Sequence, residues 1–230
     1  MSIEIKVQHA QDDFELVANA LIPSNGITGI FGESGSGKTT LARIIAGLES
    51  NAQGLVRFRD TIWQDTSKNI FVPTHKRRVG FVFQGSDLFS HLNVRQNLEF
   101  GYHRRQDPNP ELEINQIIDL FDLSLLLDRA PMNLSGGELQ RTVIAQVILG
   151  QPRVLIMDEP MTALDLRRRR EAILYIEKLH SSLKIPILYI THSVRELERL
   201  ADSLITIQNG TVTTVNDIAN HLAVLKLEDF

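Results

Sequence analysis

A glycine-rich octapeptide carries the clearest chemistry in the amino-acid sequence. It reads Gly32-Glu33-Ser34-Gly35-Ser36-Gly37-Lys38-Thr39 and fits the phosphate-binding pattern G-x-x-x-x-G-K-[ST] at every fixed position. A strand-like apolar segment precedes it and a helical pattern follows, so backbone amides and a helix N-terminus can surround one anion. We predict that these residues and Thr40 bind nucleotide phosphates, that Lys38 reaches the β- and γ-phosphates, and that the Thr39 hydroxyl ligates Mg²⁺.

Two acidic residues end a second apolar segment of the chain. Asp158 and Glu159 directly follow Val154-Leu155-Ile156-Met157. In an open parallel sheet, ligands bind beyond the carboxyl ends of the strands, where the glycine-rich loop also lies. Asp158 is therefore a candidate Mg²⁺ ligand. Glu159 is a candidate catalytic residue that orients or deprotonates the attacking water.

A second possible anion site opens another helical pattern. Ser135 can cap the helix, Gly136 and Gly137 expose backbone amides, and Glu138 follows them. A single chain offers this site no obvious second phosphate.

Composition excludes several classes of function. The 230 residues include no cysteine, so disulfides, thiolate metal sites and cysteine nucleophiles are ruled out. With 24 basic and 28 acidic residues the net charge is −4, and no global basic field attracts nucleic acid. We interpret the arginine run at positions 167–170 as a solvated helix start. The N-terminus does not have the pattern of a secretory signal, and no apolar run is long enough to cross a bilayer.

Strand–helix alternation on both sides of a helical middle predicts an α/β fold with a parallel sheet. We expect a core of about residues 1–92 and 152–230, with a helical subdomain inserted at about residues 93–151. The predicted strands are at residues 3–7, 14–21, 27–31, 55–58, 79–83, 154–157, 187–190 and 204–207. The clearest helices are predicted at residues 39–48, 112–121 and 139–149.

The glycine-rich loop, the acidic end of the second apolar segment and four further motifs resemble those of ABC-transporter ATPase subunits. The six motifs occur in that family's order, and the resemblance covers essentially the whole chain. Leu134-Ser135-Gly136-Gly137-Glu138 matches the family's signature motif and Gln84 matches the Q-loop glutamine. Thr162-Ala163-Leu164-Asp165 matches the D-loop, with Thr162 where serine is usual, and His192 matches the switch histidine. The resemblance implies a P-loop NTPase core with an N-terminal antiparallel β subdomain and an inserted α-helical subdomain.

The resemblance also implies roles for residues and for a second copy of the chain. ATP would be sandwiched in a head-to-tail homodimer, between the P-loop of one copy and residues 135–138 of the other. Gln84 would bind Mg²⁺ and sense the membrane partner, His192 and Lys38 would be catalytic, and Asp165 would belong to the ATP site. The aromatic residue that stacks on adenine is either Phe14 or His9.

Within this family, segments around the Q-loop most closely resemble those of molybdate-importer ATPase subunits. These segments are residues 62–65, 70–84, 88–92 and 94–98, and sulfate, phosphate and thiamine importers share parts of them. We expect an ATPase peripheral to the cytoplasmic face of the inner membrane, with permease partners, an indirectly coupled substrate-binding protein and no nucleic acid. The alternatives are an importer ATPase for one of the other cargoes, or a soluble ABC ATPase without a transport role. Because the sequence ends at Phe230 without a further anion-binding domain, feedback inhibition through such a domain is not expected.

Overall fold

The computed structural model describes residues 2–12, 14–85, 88–105, 113–162, 164–183 and 185–228. The strands in these residues are β1 (Ser2–Gln11), β2 (Phe14–Pro23), β3 (Ile27–Phe31), β4 (Gln53–Phe58), β5 (Thr61–Asp65), β6 (Ile70–Phe71), β7 (Val79–Val82), β8 (Val154–Asp158), β9 (Ile187–Ile190), β10 (Ser203–Gln208) and β11 (Thr211–Val215). The helices are α1 (Lys38–Ala46), α2 (Thr74–Arg77), α3 (Val94–His103), α4 (Ile114–Leu120), α5 (Gly136–Leu149), α6 (Leu166–Leu183), α7 (Val194–Leu200) and α8 (Ile218–Glu228).

One mixed sheet connects all of these strands, in the order β6-β5-β4-β1-β2-β11-β10-β3-β9-β8-β7. Strands β10, β3, β9, β8 and β7 pair in parallel, as the strand–helix alternation predicts. Their sequences are runs of Ile, Val and Leu because helices cover both faces, and every residue of β8 and β9 is buried. The parallel pairing brings the carboxyl ends of these strands to one edge.

The antiparallel part of the sheet begins with a long hairpin. All ten residues of β1 pair with β2, from Ser2 opposite Pro23 to Gln11 opposite Phe14. Burial alternates along both strands, so one face packs on the core and the other faces solvent. Strands β4, β5 and β6 extend this part, and β11 returns antiparallel to β10. The short strands β5, β6 and β11 lack a strong apolar pattern, and the sequence did not predict them.

Between β7 and β8 the described chain contains helices α3, α4 and α5 and no strand. This matches the expected helical middle, while the division into core and inserted subdomain stays a prediction. Buried side chains of α4 and α5, including Ile117 and Ile144, join the same hydrophobic core as Leu155 and Tyr189 of the sheet. Packing of these helices against the sheet therefore fixes their position relative to the glycine-rich loop.

Several predicted boundaries were wrong by one to three residues. Helix α1 is Lys38–Ala46, because Gly47 takes the left-handed conformation that ends a helix. Helix α5 begins at Gly136, since the Ser135 cap places both signature glycines in the first turn. Helix α4 ends at Leu120, and the predicted start at Leu112 lies outside the described residues. In the described part of the chain, no helix is long and apolar enough to span a bilayer.

Candidate active site

The glycine-rich loop lies between β3 and α1, at the carboxyl edge of the parallel strands. Gly35 and Gly37 have φ angles of 78° and 107°, which side chains rarely adopt. A Cβ on Gly37 would lie 2.7 Å from Cζ of Phe14, and one on Gly32 would lie 2.4 Å from the Ile207 carbonyl oxygen. Glycine is therefore required at positions 32 and 37 by close packing, in a loop of the kind whose backbone amides bind anions.

Lys38 begins helix α1 and is held under the loop. Its Nζ donates hydrogen bonds to the carbonyl oxygens of Gly32 and Glu33, at 2.8 and 2.7 Å. Burial lowers the pKa of Lys38, and the nearby carboxylates of Glu159 and Asp158 act in the opposite direction. The ammonium group is thus positioned and partly desolvated, which strengthens its attraction to a phosphate.

Thr39 and Asp158 meet across the sheet edge. Asp158 ends β8, is only 3% exposed, and accepts a hydrogen bond from the Thr39 side chain. Burial raises the pKa of Asp158 above its usual value, and the hydrogen bond from Thr39 opposes this shift. A buried carboxylate beside a hydroxyl provides oxygen ligands of the kind that Mg²⁺ prefers.

Glu159 contacts two side chains that are distant in sequence, Gln84 and His192, and one that is close, Thr162. Its Oε2 accepts hydrogen bonds from Gln84 Nε2 at 3.4 Å and from Thr162 Oγ1 at 3.1 Å. Its Oε1 lies 3.2 Å from Nδ1 of His192, which follows β9. Strand order explains the grouping, since β8 lies between β7 and β9 and all three end at the same edge. The contact with Thr162 went unnoticed in the sequence, where this residue stood out only as a departure from the usual serine.

The second predicted anion site is built around the start of α5. Ser135 Oγ accepts from the Glu138 amide at 3.4 Å, and the Ser135 amide donates to Glu138 Oε2 at 2.7 Å. This backbone hydrogen bond is the largest cause of the lowered pKa of Glu138. Ser135, Gly137 and Glu138 line a small cavity that shares no residue with those bordering the glycine-rich loop. Within one chain, the two predicted anion sites are therefore separate.

Asp165 caps helix α6 and does not line the loop cavities. Its Oδ1 accepts from the Arg168 amide at 2.9 Å, and this hydrogen bond is the main reason that the pKa of Asp165 is lowered. Ala163, in the same motif, lies outside the described residues. The arginine run is less uniformly solvated than predicted, because Arg169 pairs with the buried Glu196.

Phe14 lies against the glycine-rich loop and His9 does not. Phe14 lines a cavity of about 200 Å³ together with Lys38, Thr39, Gln84 and Glu159. It also lines a neighbouring cavity of about 470 Å³, to which His221 and Leu225 of α8 contribute. Phe14 is only half-buried. His9 is buried, and neither of its ring nitrogens has a hydrogen-bond partner among the described residues.

The architecture and this loop geometry are those of an ATP-binding cassette. The ABC transporter family profile matches residues 18–162, and the chain belongs to that family. It is 45% identical to the molybdenum import ATP-binding protein ModC of Pseudomonas savastanoi pv. phaseolicola over 225 residues, which are 98% of this chain and 62% of that protein. ModC of Methylococcus capsulatus is 47% identical over 214 residues, 93% of this chain and 59% of that protein. The chain thus spans less than two thirds of the length of these curated relatives.

Two solved structures share the fold. One is cbiO1 from Clostridium perfringens, part of the ABC transporter complex cbiONQ, with a TM-score of 0.80 and 24% identity, covering 98% of this chain and 92% of that chain. The other is a nucleotide-free ATP-binding cassette from an ABC transporter, with a TM-score of 0.79 and 20% identity, covering 97% and 96%. The predicted α/β class is confirmed, as is the resemblance to molybdate-importer subunits.

Proposed function

We propose that this chain is the ATP-hydrolysing subunit of an ABC importer whose cargo is molybdate or a related oxyanion. The observation that carries the proposal is the grouping of Glu159 with Gln84, Thr162 and His192. Two members of this group, Glu159 and Gln84, line a cavity together with Lys38. A carboxylate beside a phosphate-binding loop can orient and deprotonate a water molecule. A protein that only bound ATP would not require this arrangement.

Thr39 and Asp158 fit the Mg²⁺ that such chemistry uses. Their side chains share a hydrogen bond, and the buried Asp158 carboxylate, with its raised pKa, is a group that a cation would stabilise. Mg²⁺ is commonly bound by one or two protein groups together with substrate phosphates and water. Thr39 and Asp158 would hold it, and the Gln84 side chain would contribute from the end of the neighbouring strand β7. When bound, the ion neutralises charge on the transferring phosphate.

In the proposed reaction the chain's own residues position the phosphate groups and the attacking water and polarise them. The loop amides and Lys38 bind the phosphate oxygens, and Glu159 accepts the proton of the attacking water. His192 and Gln84 contact different oxygens of the Glu159 carboxylate, so each restricts its rotation. Stacking of adenine on Phe14 would complete the nucleotide site, since this ring borders both loop cavities.

Two copies of the chain would assemble head to tail around ATP. Gly136 and Gly137 are in the first turn of α5, where helix amides have no intrahelical acceptor, and this helix start is separate from the glycine-rich loop of the same chain. Pairing two copies would bring each helix start to the phosphates held by the other. This arrangement explains why one chain carries two separate anion sites.

A groove beside the Q-loop is suited to a permease. It measures about 350 Å³ and is lined by Phe81, Phe89, Phe100 and Arg104, among others. Phe89 and Phe100 are 40% and 37% exposed and contact each other edge to face. Exposed aromatic clusters of this kind mark protein–protein contacts. We propose that a cytoplasmic segment of the permease occupies the groove, with the chain at the cytoplasmic face of the membrane. A substrate-binding protein would deliver the cargo.

Molybdate is proposed because the curated relatives described above are named for molybdenum import. The test is molybdenum accumulation at low external molybdate in cells that lack the gene, complemented with wild type, Lys38→Ala or Lys6→Ala. We expect wild type and Lys6→Ala, which alters an exposed lysine, to restore uptake and Lys38→Ala to fail. Normal uptake in the deletion strain would refute molybdate as the cargo, and sulfate, phosphate and thiamine would be measured next.

A further inference from the structure

A buried carboxylate lies behind the His192 segment and has no part in the chemistry proposed above. Glu196 of α7 is 4% exposed. Its Oε2 accepts hydrogen bonds from the Tyr189 hydroxyl at 2.8 Å and from Thr191 Oγ1 at 2.9 Å. Its Oε1 lies 3.6 Å from Nε of Arg169 on α6. One side chain therefore connects strand β9, the segment after it and two helices.

These contacts hold both neighbours of His192. Thr191 Oγ1 donates to Glu196 and also accepts from the Ser193 amide at 3.0 Å. The Thr191 amide donates to the Ile30 carbonyl oxygen, and Ser193 Oγ caps α7 by accepting from the Glu196 amide. His192 is thus an exposed residue between two anchored ones. Its Nδ1 can face Glu159 only while this segment keeps its shape.

Arg169 connects the same cluster to the Asp165 segment. The Arg169 amide donates to the Asp165 carbonyl oxygen at 2.9 Å, in the first turn of α6. Burying an ionised carboxylate is costly unless it is paired and hydrogen-bonded, and an apolar side chain would fill the space at lower cost. Stability alone therefore does not explain a glutamate at this position.

We propose that Glu196 is a positioning residue that holds His192 against Glu159. Arg169 connects the hydrogen-bond cluster around Glu196 to the segment that contains Asp165. The inference rests on the proposed ATP hydrolysis. Glutamate suits the role because its two oxygens serve two hydroxyl donors and one guanidinium group. Glu196→Gln keeps the shape of the side chain, but one carboxylate oxygen becomes an NH₂ group that can only donate. That group must face either Arg169 or the hydroxyl groups of Tyr189 and Thr191, all of which are donors toward Glu196 in the wild type.

The experiment is a double-mutant cycle on ATP hydrolysis with the full chain. Glu196→Gln and Tyr189→Phe are each made in the wild type and in His192→Ala. We expect Glu196→Gln to lower kcat about tenfold or more, because small misplacements at a reacting centre have large effects. The ATP dissociation constant should change by less than about twofold, and the effect on kcat should nearly vanish in the His192→Ala background.

A matched control separates positioning from general packing. Glu177 of α6 pairs with Arg199 of α7 at 2.7 Å and joins the same two helices without touching the His192 segment. Glu177→Gln should leave kcat within about twofold of wild type. If Glu196→Gln does not fold, Thr191→Val supplies the same comparison, with thermal unfolding as the folding check. The inference is overturned by an unchanged kcat, by equal losses in both backgrounds, or by an equal loss in Glu177→Gln. Absent hydrolysis by the wild type would instead refute the proposed function.

Discussion

At the scale of single residues, Glu159 combines an uncommon backbone conformation with a crowded side chain. Its φ of 46° is in the left-handed region, and its amide donates to the Ile190 carbonyl oxygen at 3.0 Å. The neighbouring strand therefore stabilises the turn that directs the carboxylate toward His192. Strained backbone of this kind persists where the surrounding structure over-determines it, often at functional sites.

The first prediction concerns the charge of Glu159. Glu159→Gln keeps the size of the side chain but removes the proton acceptor, so kcat for ATP hydrolysis should fall by about 10²-fold or more. ATP affinity should stay near that of the wild type, because the proposed phosphate contacts come from the loop and Lys38. Turnover and equilibrium nucleotide binding measure the two quantities separately. Wild-type turnover in this variant would remove Glu159 from the catalytic role.

The second prediction concerns Asp158, whose burial raises the pKa above its usual value of 3.8. The folded chain therefore holds this proton more tightly than the unfolded chain. The stability that protonated Asp158 contributes is fully present below its pKa in the unfolded chain. It is lost as pH rises through its higher pKa in the folded chain. At pH 7 without nucleotide, Asp158→Asn should raise Tm by about 2–4 °C and abolish Mg²⁺-dependent hydrolysis. A lower Tm for the variant across the neutral range would contradict this reasoning.

The third prediction separates Phe14 from His9. Phe14→Ala should weaken ATP binding by about 1–3 kcal/mol, the usual contribution of aromatic–base stacking. His9→Gln should leave ATP affinity unchanged because His9 lines neither loop cavity. Fluorescent-nucleotide titration of both variants provides the comparison. The opposite ranking would assign adenine stacking to His9.

At the scale of elements, helix α1 is fixed at both ends by different means. Its first residue, Lys38, is bound to the glycine-rich loop, and its last turn is bound by a buried arginine. Arg77 NH1 donates to the carbonyl oxygens of Ile44 and Ile45, both at 2.9 Å, and its Nε donates to the Val72 carbonyl oxygen at 2.7 Å. Burial lowers the pKa of Arg77 to about 10. A cation at a helix C-terminus also interacts favourably with the helix dipole.

The fourth prediction follows from this cap. Arg77→Met removes the hydrogen bonds to the carbonyl oxygens of Ile44, Ile45 and Val72. The Ile44 oxygen keeps a second donor, the Gly47 amide, and the loss of the three hydrogen bonds should lower the free energy of unfolding by about 3 kcal/mol. Arg43→Ala is the matched control, since it removes an exposed arginine of the same helix whose partner is Glu49. The control should lower stability by less than about 1 kcal/mol. Urea unfolding of both variants tests the difference, and equal effects would show that the cap is not important.

At the scale of the whole molecule, the order of parallel strands assembles the site. Strand β3 leads into the loop, β9 into His192, β8 into Glu159 and β7 into Gln84, and these four strands are neighbours in the sheet. The register places Asp158 opposite Ile190 and Ile190 opposite Ile30. Groups far apart in sequence are therefore within a few ångströms of one another in space.

The fifth prediction concerns assembly of two copies. If ATP is sandwiched between the loop and the start of α5, then Glu159→Gln should form dimers in the presence of ATP, because slow hydrolysis preserves the bound nucleotide. A second change, Ser135→Arg, should prevent dimerisation by blocking the helix start while leaving ATP binding to the monomer intact. Size-exclusion chromatography with and without ATP measures both outcomes. Dimers of the Ser135→Arg protein would exclude this arrangement.

Much of the fold was predictable because strong patterns dominate its interior. The buried strands β8 and β9 are continuous apolar runs, and only a parallel, doubly covered sheet accommodates several of these. Strands β5, β6 and β11 were not predicted because they are short, lack a continuous apolar pattern and are ordered mainly by pairing. The start of α5 was missed by three residues, since glycines have poor helix propensity and only the Ser135 cap overrides it.

Chemistry that depends on neighbouring residues can be predicted from the sequence alone. The glycine-rich loop, Lys38 and Thr39 are contiguous, so backbone geometry alone brings them together. Which distant groups meet depends instead on how the strands pair. Glu159 contacts Gln84, 75 positions away, and His192, 33 positions away, because strand order and register place three strand ends side by side. Likewise, the pairing of Phe14 opposite Gln11 and of Leu16 opposite His9 leaves Phe14 at the end of the hairpin, beside the loop, and His9 inside the core.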